Sequence, residues 1–549
     1  MFALLLTINI FKIVFAIEPI VKIEDGELRG SILKDIDGKP FYSFQKIPFA
    51  APPIRSLRFK DPKPNQKWKG VRDATKESPI CLQKQFLLHG NFTGVEDCLY
   101  LNVYTPKIKP NKLFPVLVFI HGGGFIEGSG TYSFYGPEFL ISQNIILVTI
   151  NYRLGILGFL NFKNQSLNVP GNAGLKDQTM ALKWVRKNIE QFGGDKNKVT
   201  IVGQSAGAAS VHLHVISPLS KGLFSNAIIQ SGTSLAPWCN GEINNGVTAA
   251  NILNYQGNNE SDMLKLLQNA SVDELKKASV NVSMLVEIDK PNRFGPTIEH
   301  PNREAFLTDN PRKLIKKGLF NHDVKIMIGI TSAEGMVMDS FFIYRDGIFN
   351  PLPTSKFIPY YFKFSSDKNR QKLVNKINKF YNLENKLDPN PHLNLQSDSY
   401  FTFCLYETIF GHLRYNQIYL YLFSSDSKLN MWKYSNNVTK NYEGVCHIDD
   451  LGYLFPNPNT PKVAYDKTSK EYRYIKNTVK LISNFVKFET PTLPDERIQW
   501  KKVNNKSINY YNINLDNNTR GIGFYKERVM FWCDVYREQK YPNFCPDNF

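Results

Sequence analysis

The chain has 549 residues, 42% hydrophobic and 13% aromatic against 21% charged, with a mean hydropathy of -0.30. This composition fills a sizeable core and excludes both wholesale disorder and a polytopic membrane protein. Lys and Arg total 67 against 49 Asp and Glu, a net +18, which speaks to attraction toward anionic surfaces, not to fold, and makes nucleic acid the first partner to weigh.

The first element in chain order is MFALLLTINIFKIVFA, apolar from Phe2 to Phe15, with Val14 and Ala16 small at the minus-three and minus-one positions of a cleavage site. It reads as a signal peptide over residues 1–16, because Glu18, Lys22 and Glu24 arrive too soon for a spanning helix of about 20 apolar residues. Export agrees with the Asn-x-Ser/Thr sequons at Asn91, Asn164, Asn259, Asn269, Asn281, Asn437, Asn505 and Asn517, the acceptor pattern for N-glycosylation.

Seven cysteines in an exported chain point to disulfides plus a leftover thiol. Cys81 and Cys98, bracketing residues 82–97, are the first pair to expect, a closure worth about 3 kcal/mol. Cys446 is the candidate leftover, and the pairing among Cys239, Cys404, Cys533 and Cys545 stays open. The tail YPNFCPDNF has no apolar anchor and no ER-retention tetrapeptide, so the expectation is a secreted, extracellular product without a membrane anchor. Such a chain does not ordinarily meet nucleic acid, and it carries no nucleic-acid motif.

Five apolar runs follow: PVLVFI (115–120), NIILVTI (144–150), KVTIVG (198–203), NAIIQSG (226–232) and VKIMIGI (324–330). Runs apolar on both faces are what buried strands of a parallel sheet look like. Between them DQTMALKWVRKNIEQF (177–192) places Leu182, Val185, Ile189 and Phe192 on one helical stripe. Strand alternating with helix predicts an α/β doubly wound sheet, with long insertions at 240–320 and 340–415, where strand signals thin out.

GQSAG (203–207) follows the strand VTIV and opens a helical pattern, the setting of a nucleophile elbow that exposes Ser205 at a sharp strand-to-helix turn. HGGGF (121–125), directly after PVLVFI, is a run of glycines that lets backbone N–H groups approach a substrate oxygen. Gly123 and Gly124, with the N–H of Ala206, are the expected oxyanion donors, and because the stabilising charge comes from backbone dipoles no metal or cofactor is called for.

A base and an orienting acid must follow in the order Ser, acid, His. His89, His121, His212 and His214 come too early, and His300, His322, His392 and His412 read as surface residues in polar or helical surroundings. His447 stands in EGVCHIDDLGYLF, where a loop with Gly444 opens into an apolar segment. Glu334, in GITSAEG after VKIMIGI, lies at a strand's C-terminal end, the edge where α/β active sites form; Asp339 is its nearest rival.

FGGDKNKVTIVGQSAG (192–207) resembles the first signature of the type-B carboxylesterase and cholinesterase family, and EDCLYLNVYTP (96–106) resembles its second. GNAGLKDQTMALKWVRKNI, NYRLG, SAEG and GVCHIDDLGYLF also resemble that family's segments, in its order. The resemblance implies an α/β-hydrolase fold: a large, mostly parallel twisted sheet flanked by helices, in one carboxylesterase domain over 17–549. It also implies a Ser205, Glu334, His447 triad, oxyanion donors at Gly123, Gly124 and Ala206, the Cys81–Cys98 disulfide, and a small-molecule ester as substrate.

Two departures from the cholinesterases are visible. Gln204 stands where they have glutamate, and residues 82–97 contain no tryptophan, so a quaternary ammonium loses a cation–π platform worth roughly 0.5 to 2 kcal/mol. GQSAG with GVCHIDDLGYLF looks most like insect-type carboxylesterases. These include juvenile hormone esterases, which are similar in Arg58-Phe59 and Asp177-Gln178, and so a terpenoid methyl ester is the alternative substrate. The remaining alternatives are an ester-sequestering protein without turnover, or an adhesion protein using the basic segment 368–379 (Lys368, Arg370, Lys372, Lys376, Lys379), whose Leu373, Val374 and Ile377 read better as the buried stripe of a surface helix.

Overall fold

The computed structural model describes residues 18–547 apart from 86–89, 280–287, 339–343, 346–347, 350, 385–387, 436–438 and 515. Its centre is an eleven-stranded sheet. In chain order the strands are β1 (Ser31–Lys34), β2 (Pro40–Pro48), β3 (Tyr100–Thr105), β4 (Phe114–Ile120), β5 (Ile146–Ile150) and β6 (Gly194–Gln204). They continue with β7 (Asn226–Gln230), β8 (Lys325–Thr331), β9 (Ile418–Phe423), β10 (Asn509–Ile513) and β11 (Thr519–Ile522).

Across the sheet the order is β11-β10-β9-β8-β7-β6-β4-β5-β3-β2-β1. Strands β4 to β10 pair in parallel, while β3, β2 and β1 on one flank and β11 on the other join antiparallel. The five apolar runs are β4 to β8, within a residue or two except that β6 starts four residues early, at Gly194.

Successive residues of a strand face opposite sides, and the central strands feed two cores. Val116, Val118, Val148, Ile201, Ile229 and Ile328 enter one; Leu117, Phe119, Leu147, Val202, Ile228 and Met327 enter the other. The helices used below are α1 (Ala173–Asn188), α2 (Ala206–Ile216), α3 (Asp367–Tyr381), α4 (Asn390–Ser397), α5 (Phe403–His412), α6 (Lys470–Phe488) and α7 (Lys526–Glu538). Leu182 and Val185 of α1, with Val211 and Leu213 of α2, cover the first face; Ile475, Val479, Ile482 and Phe485 of α6 cover the second.

The regular structure described in the predicted insertions is mainly helix, including Asn245–Ile252, Glu260–Asn269 and Val272–Ser279 between β7 and β8, and α3 to α5 between β8 and β9. Helix α3 buries Leu373 and Ile377, and Lys376 on its outer side pairs with Glu538 of α7. Disulfides join Cys81 to Cys98 and Cys533 to Cys545, while Cys239, Cys404 and Cys446 take part in neither. Sequon residues Asn91, Asn164, Asn259, Asn269, Asn505 and Asn517 are exposed; Asn281 and Asn437 lie outside the described residues. Among the described residues no helix is long and apolar enough to cross a membrane.

Candidate active site

Strand β6 ends at Gln204 and α2 begins at Ala206, so Ser205 alone makes the turn, at φ 59° and ψ −123°. Few non-glycine residues adopt such a backbone, and it persists only where its surroundings hold it. Here the Ser205 N–H donates to Gln230 O on β7 (2.8 Å), and Ser205 O accepts from Ala209 N in the first turn of α2 (2.9 Å). The flanking glycines are required by contact: a Cβ on Gly203 would lie 2.3 Å from the Gly207 carbonyl carbon, and one on Gly207 would lie 2.1 Å from Ile120 O at the end of β4.

The loop leaving β4 comes back over this turn. Gly123 (φ 99°) and Gly124 (φ 60°) sit in the left-handed region, and Gly123 O accepts from the N–H groups of Ile126 and Glu127, both at 3.0 Å. A Cβ on Gly122 would stand 2.7 Å from Gln204 O and 3.1 Å from Ser205 Cβ, so only glycine allows the two loops to meet. His121 braces the loop: its Nδ1 contacts Gly122 O at 2.8 Å, its ring stacks on Tyr152 at 4.3 Å, and Tyr152 donates its hydroxyl to His121 O at 3.0 Å. Burial lowers its pKa to about 4, so the ring is neutral and Nδ1–H is the donor.

Two further loops bring the acid and base together. Past β8, Ala333 N donates to Val445 O at 3.0 Å and Val445 N donates to Ser332 Oγ at 3.0 Å; a backbone bridge pairs Ala333 with Cys446. A Cβ on Gly444 (φ 92°) would lie 2.8 Å from Ala333 Cβ. Across this seam His447 Nδ1 meets Glu334 Oε2 at 2.5 Å, both side chains being almost wholly buried. Glu334 Oε1 accepts from Thr331 N at 2.8 Å, which fixes the carboxylate from its other side.

The second imidazole nitrogen has a partner that sequence reading missed. The Gln204 amide nitrogen lies 3.1 Å from His447 Nε2. An amide N–H can only donate, so Nε2 accepts and the ring proton sits on Nδ1, facing Glu334. Asp450, within the quoted motif but given no role there, is buried beside this pair; its Oδ2 accepts from Gln230 Nε2 at 3.0 Å. Burial, then the Glu334 charge, raises its pKa to about 7 against the opposing pull of His447.

The remaining histidines divide differently from expectation. His300 and His322 are exposed, but His392 and His412 are buried, which corrects their reading as surface residues: His392 is among the buried residues of α4, and His412 ends α5, which is covered on nearly all sides, so a place on a helix did not mean a solvent-facing side. His412 Nδ1 donates to Asn416 Oδ1 and its Nε2 accepts from His212 Nε2, each at 2.9 Å. His214 bonds Gln178 Oε1 and Ser220 Oγ. His89 and Asp339 lie outside the described residues. Among the described residues no group of three or more His, Cys, Asp or Glu could hold a metal ion.

The model of the carboxylesterase family matches residues 17–532. A juvenile hormone esterase of Tribolium castaneum is 34% identical over 567 aligned positions, covering 96% of this chain and 95% of that protein. Esterase FE4 of Myzus persicae is 40% identical over 376 positions, covering 66% of this chain and 65% of that protein. A solved structure, juvenile hormone esterase from Manduca sexta with OTFP covalently attached, superposes with a TM-score of 0.81 at 28% identity, covering 95% of this chain and 100% of the other.

Proposed function

The chain belongs to the carboxylesterase family and is a carboxylic ester hydrolase with the α/β-hydrolase fold; from that premise we propose that it is a secreted serine esterase working through Ser205, His447 and Glu334. The observation that carries the reading is the Glu334 to His447 Nδ1 hydrogen bond, which turns the Nε2 lone pair toward Gln204, the residue just before the strained Ser205 turn and its present donor.

In this mechanism Ser205 Oγ attacks the ester carbonyl as His447 Nε2 takes its proton, and Glu334 stabilises the imidazolium that forms. The N–H groups of Gly123, Gly124 and Ala206 receive the oxyanion, at the N-terminus of α2 where the helix dipole favours negative charge. The alcohol leaves with the proton from His447, and water, activated by the same base, cleaves the acyl-enzyme. Ser205→Ala should lower kcat on a nitrophenyl ester by about 10^6-fold; a folded variant that keeps turnover defeats the assignment.

The substrate class has a second reading, a terpenoid methyl ester, favoured by the near full-length similarity to proteins named juvenile hormone esterase. A panel of short-acyl, long-acyl and terpenoid methyl esters decides between them by kcat/KM. Secretion is supported by the family match starting at residue 17, where the proposed signal peptide ends and one catalytic domain, 17–549, begins. N-terminal sequencing of exported protein should read from Ile17. The exposed sequons are the proposed glycan sites, read out by a mass decrease on deglycosylation.

A further inference from the structure

Helices α4 and α5 are one helical run interrupted by a wider turn. Asp398–Thr402 is wound as a π-helix, with Phe403 N reaching back five residues to Asp398 O. Such single π turns break the regular bonding pattern and recur at functional sites. This one is wholly buried, and two neighbours hold it from outside, Trp238 Nε1 donating to Tyr400 O at 2.9 Å and the Tyr381 hydroxyl to Asp398 at 2.6 Å, while within the run Thr402 Oγ1 donates to Ser397 O at 3.2 Å.

What the wider turn changes is direction. It lays the Phe401 ring against the His447 imidazole, centroids 4.5 Å apart and planes 31° apart. One turn earlier, Ser397 Oγ accepts from Gly335 N at 2.9 Å, beside Glu334; a Cβ on Gly335 would stand 2.6 Å from Leu393 O of α4. The same stretch therefore touches His447 and the residue next to Glu334, on two loops that meet from 113 residues apart.

We propose that the π turn Asp398–Thr402, with Ser397 just before it, is the positioning element of the acid–base pair, Phe401 fixing the plane of the His447 ring and Ser397 fixing the Glu334 loop. The proposal rests on the reading of His447 as the base. Hydrogen bonds at Nδ1 and Nε2 fix the line between the two nitrogens, while tilt of the ring about that line, through small coupled changes of χ1 and χ2, is opposed by a flat aromatic face. When Nε2 exchanges Gln204 for Ser205, the contacts to Glu334 and Phe401 still hold the ring.

The test compares Phe401→Leu and Phe401→Tyr with the wild type on a small nitrophenyl ester, following kcat and KM together with the far-downfield proton resonance of His447 Nδ1–H. Phe401→Leu should lower kcat about 10- to 100-fold, since small misplacements of a reacting group are that costly, while KM stays within about threefold. Its downfield resonance should broaden or vanish, and Phe401→Tyr should restore both signals. If Phe401→Leu does not fold, Trp238→Phe, which removes the N–H holding Tyr400 O and keeps an aromatic ring, should show the same split at about tenfold or less. A folded Phe401→Leu with wild-type kcat and resonance, or a folded Phe401→Tyr that restores neither, overturns the proposal. His447→Ala separates the two levels: if it leaves hydrolysis intact, the assignment of the base has failed.

Discussion

Gln204 donates its amide to the nitrogen of His447 that is proposed to take the serine proton. Replacing that amide with a carboxylate puts a negative charge beside Nε2, which favours the imidazolium. Gln204→Glu should therefore move the acid limb of the kcat/KM profile to higher pH, an outcome read from a pH–rate curve; an unmoved limb means that residue 204 does not face the base. Asp450 makes a second prediction. Its folded pKa of about 7 lies above the unfolded value near 3.9, so between those pH values the folded chain binds the extra proton and stability falls as pH rises. Asp450→Asn cannot ionise and should gain in Tm over wild type from pH 4 to pH 8, seen in paired melts. The candidates Ser205 and Glu334 stand out in the sequence because each follows a strand end beside glycines, and His447 because its loop carries Gly444. Gln204 and Asp450 do not, because their roles depend on partners 243 and 220 residues away.

Elements whose pattern is one-sided or apolar throughout were legible, and those lacking either pattern were not. Strands β4 to β8 announce themselves because both faces are buried, and α3 does so through Leu373 and Ile377. The edge strand β1 alternates half-buried with exposed positions, β11 is exposed except at half-buried Gly521, and neither buries a residue fully, so their sequences resemble loops; only pairing with β2 and β10 makes them strands. The π turn carries no sequence mark at all, since it is set by Trp238 and Asp398 contacts. Helix α3 separates packing from charge: Ile377→Ala should cost about 2 to 5 kcal/mol, whereas Lys376→Glu, at a partly exposed pair, should change stability by about 1 kcal/mol or less, both read from denaturant melts. The Cys533–Cys545 bond ties α7 to the C-terminal segment. Replacing both cysteines with serine should cost about 3 kcal/mol on the chain-entropy account, measured in the same way.

At the scale of the whole molecule, the +18 charge is carried largely at the surface, and acid sensitivity comes instead from inside. Burial lowers the pKa of His121 and His412 to about 4 and that of His214 to about 3, against about 6.5 when unfolded. The unfolded chain takes up these protons first, so stability is fully present above about pH 6.5 and is lost as pH falls toward 4. Tm should drop between pH 7 and pH 4.5, and His214→Gln should flatten that slope. The seam at Ala333 and Cys446 has a consequence for descent. The chain between Glu334 and Gly444 returns to this seam after contributing Ser397, Phe401 and the central strand β9, so it is the connections between those fixed elements whose lengths are nearly free, because closing a longer loop costs only about 0.6 kcal/mol per doubling. Those connections are cassettes: lineages can trade or lengthen them to court a new ester while Glu334 and His447 stay in register.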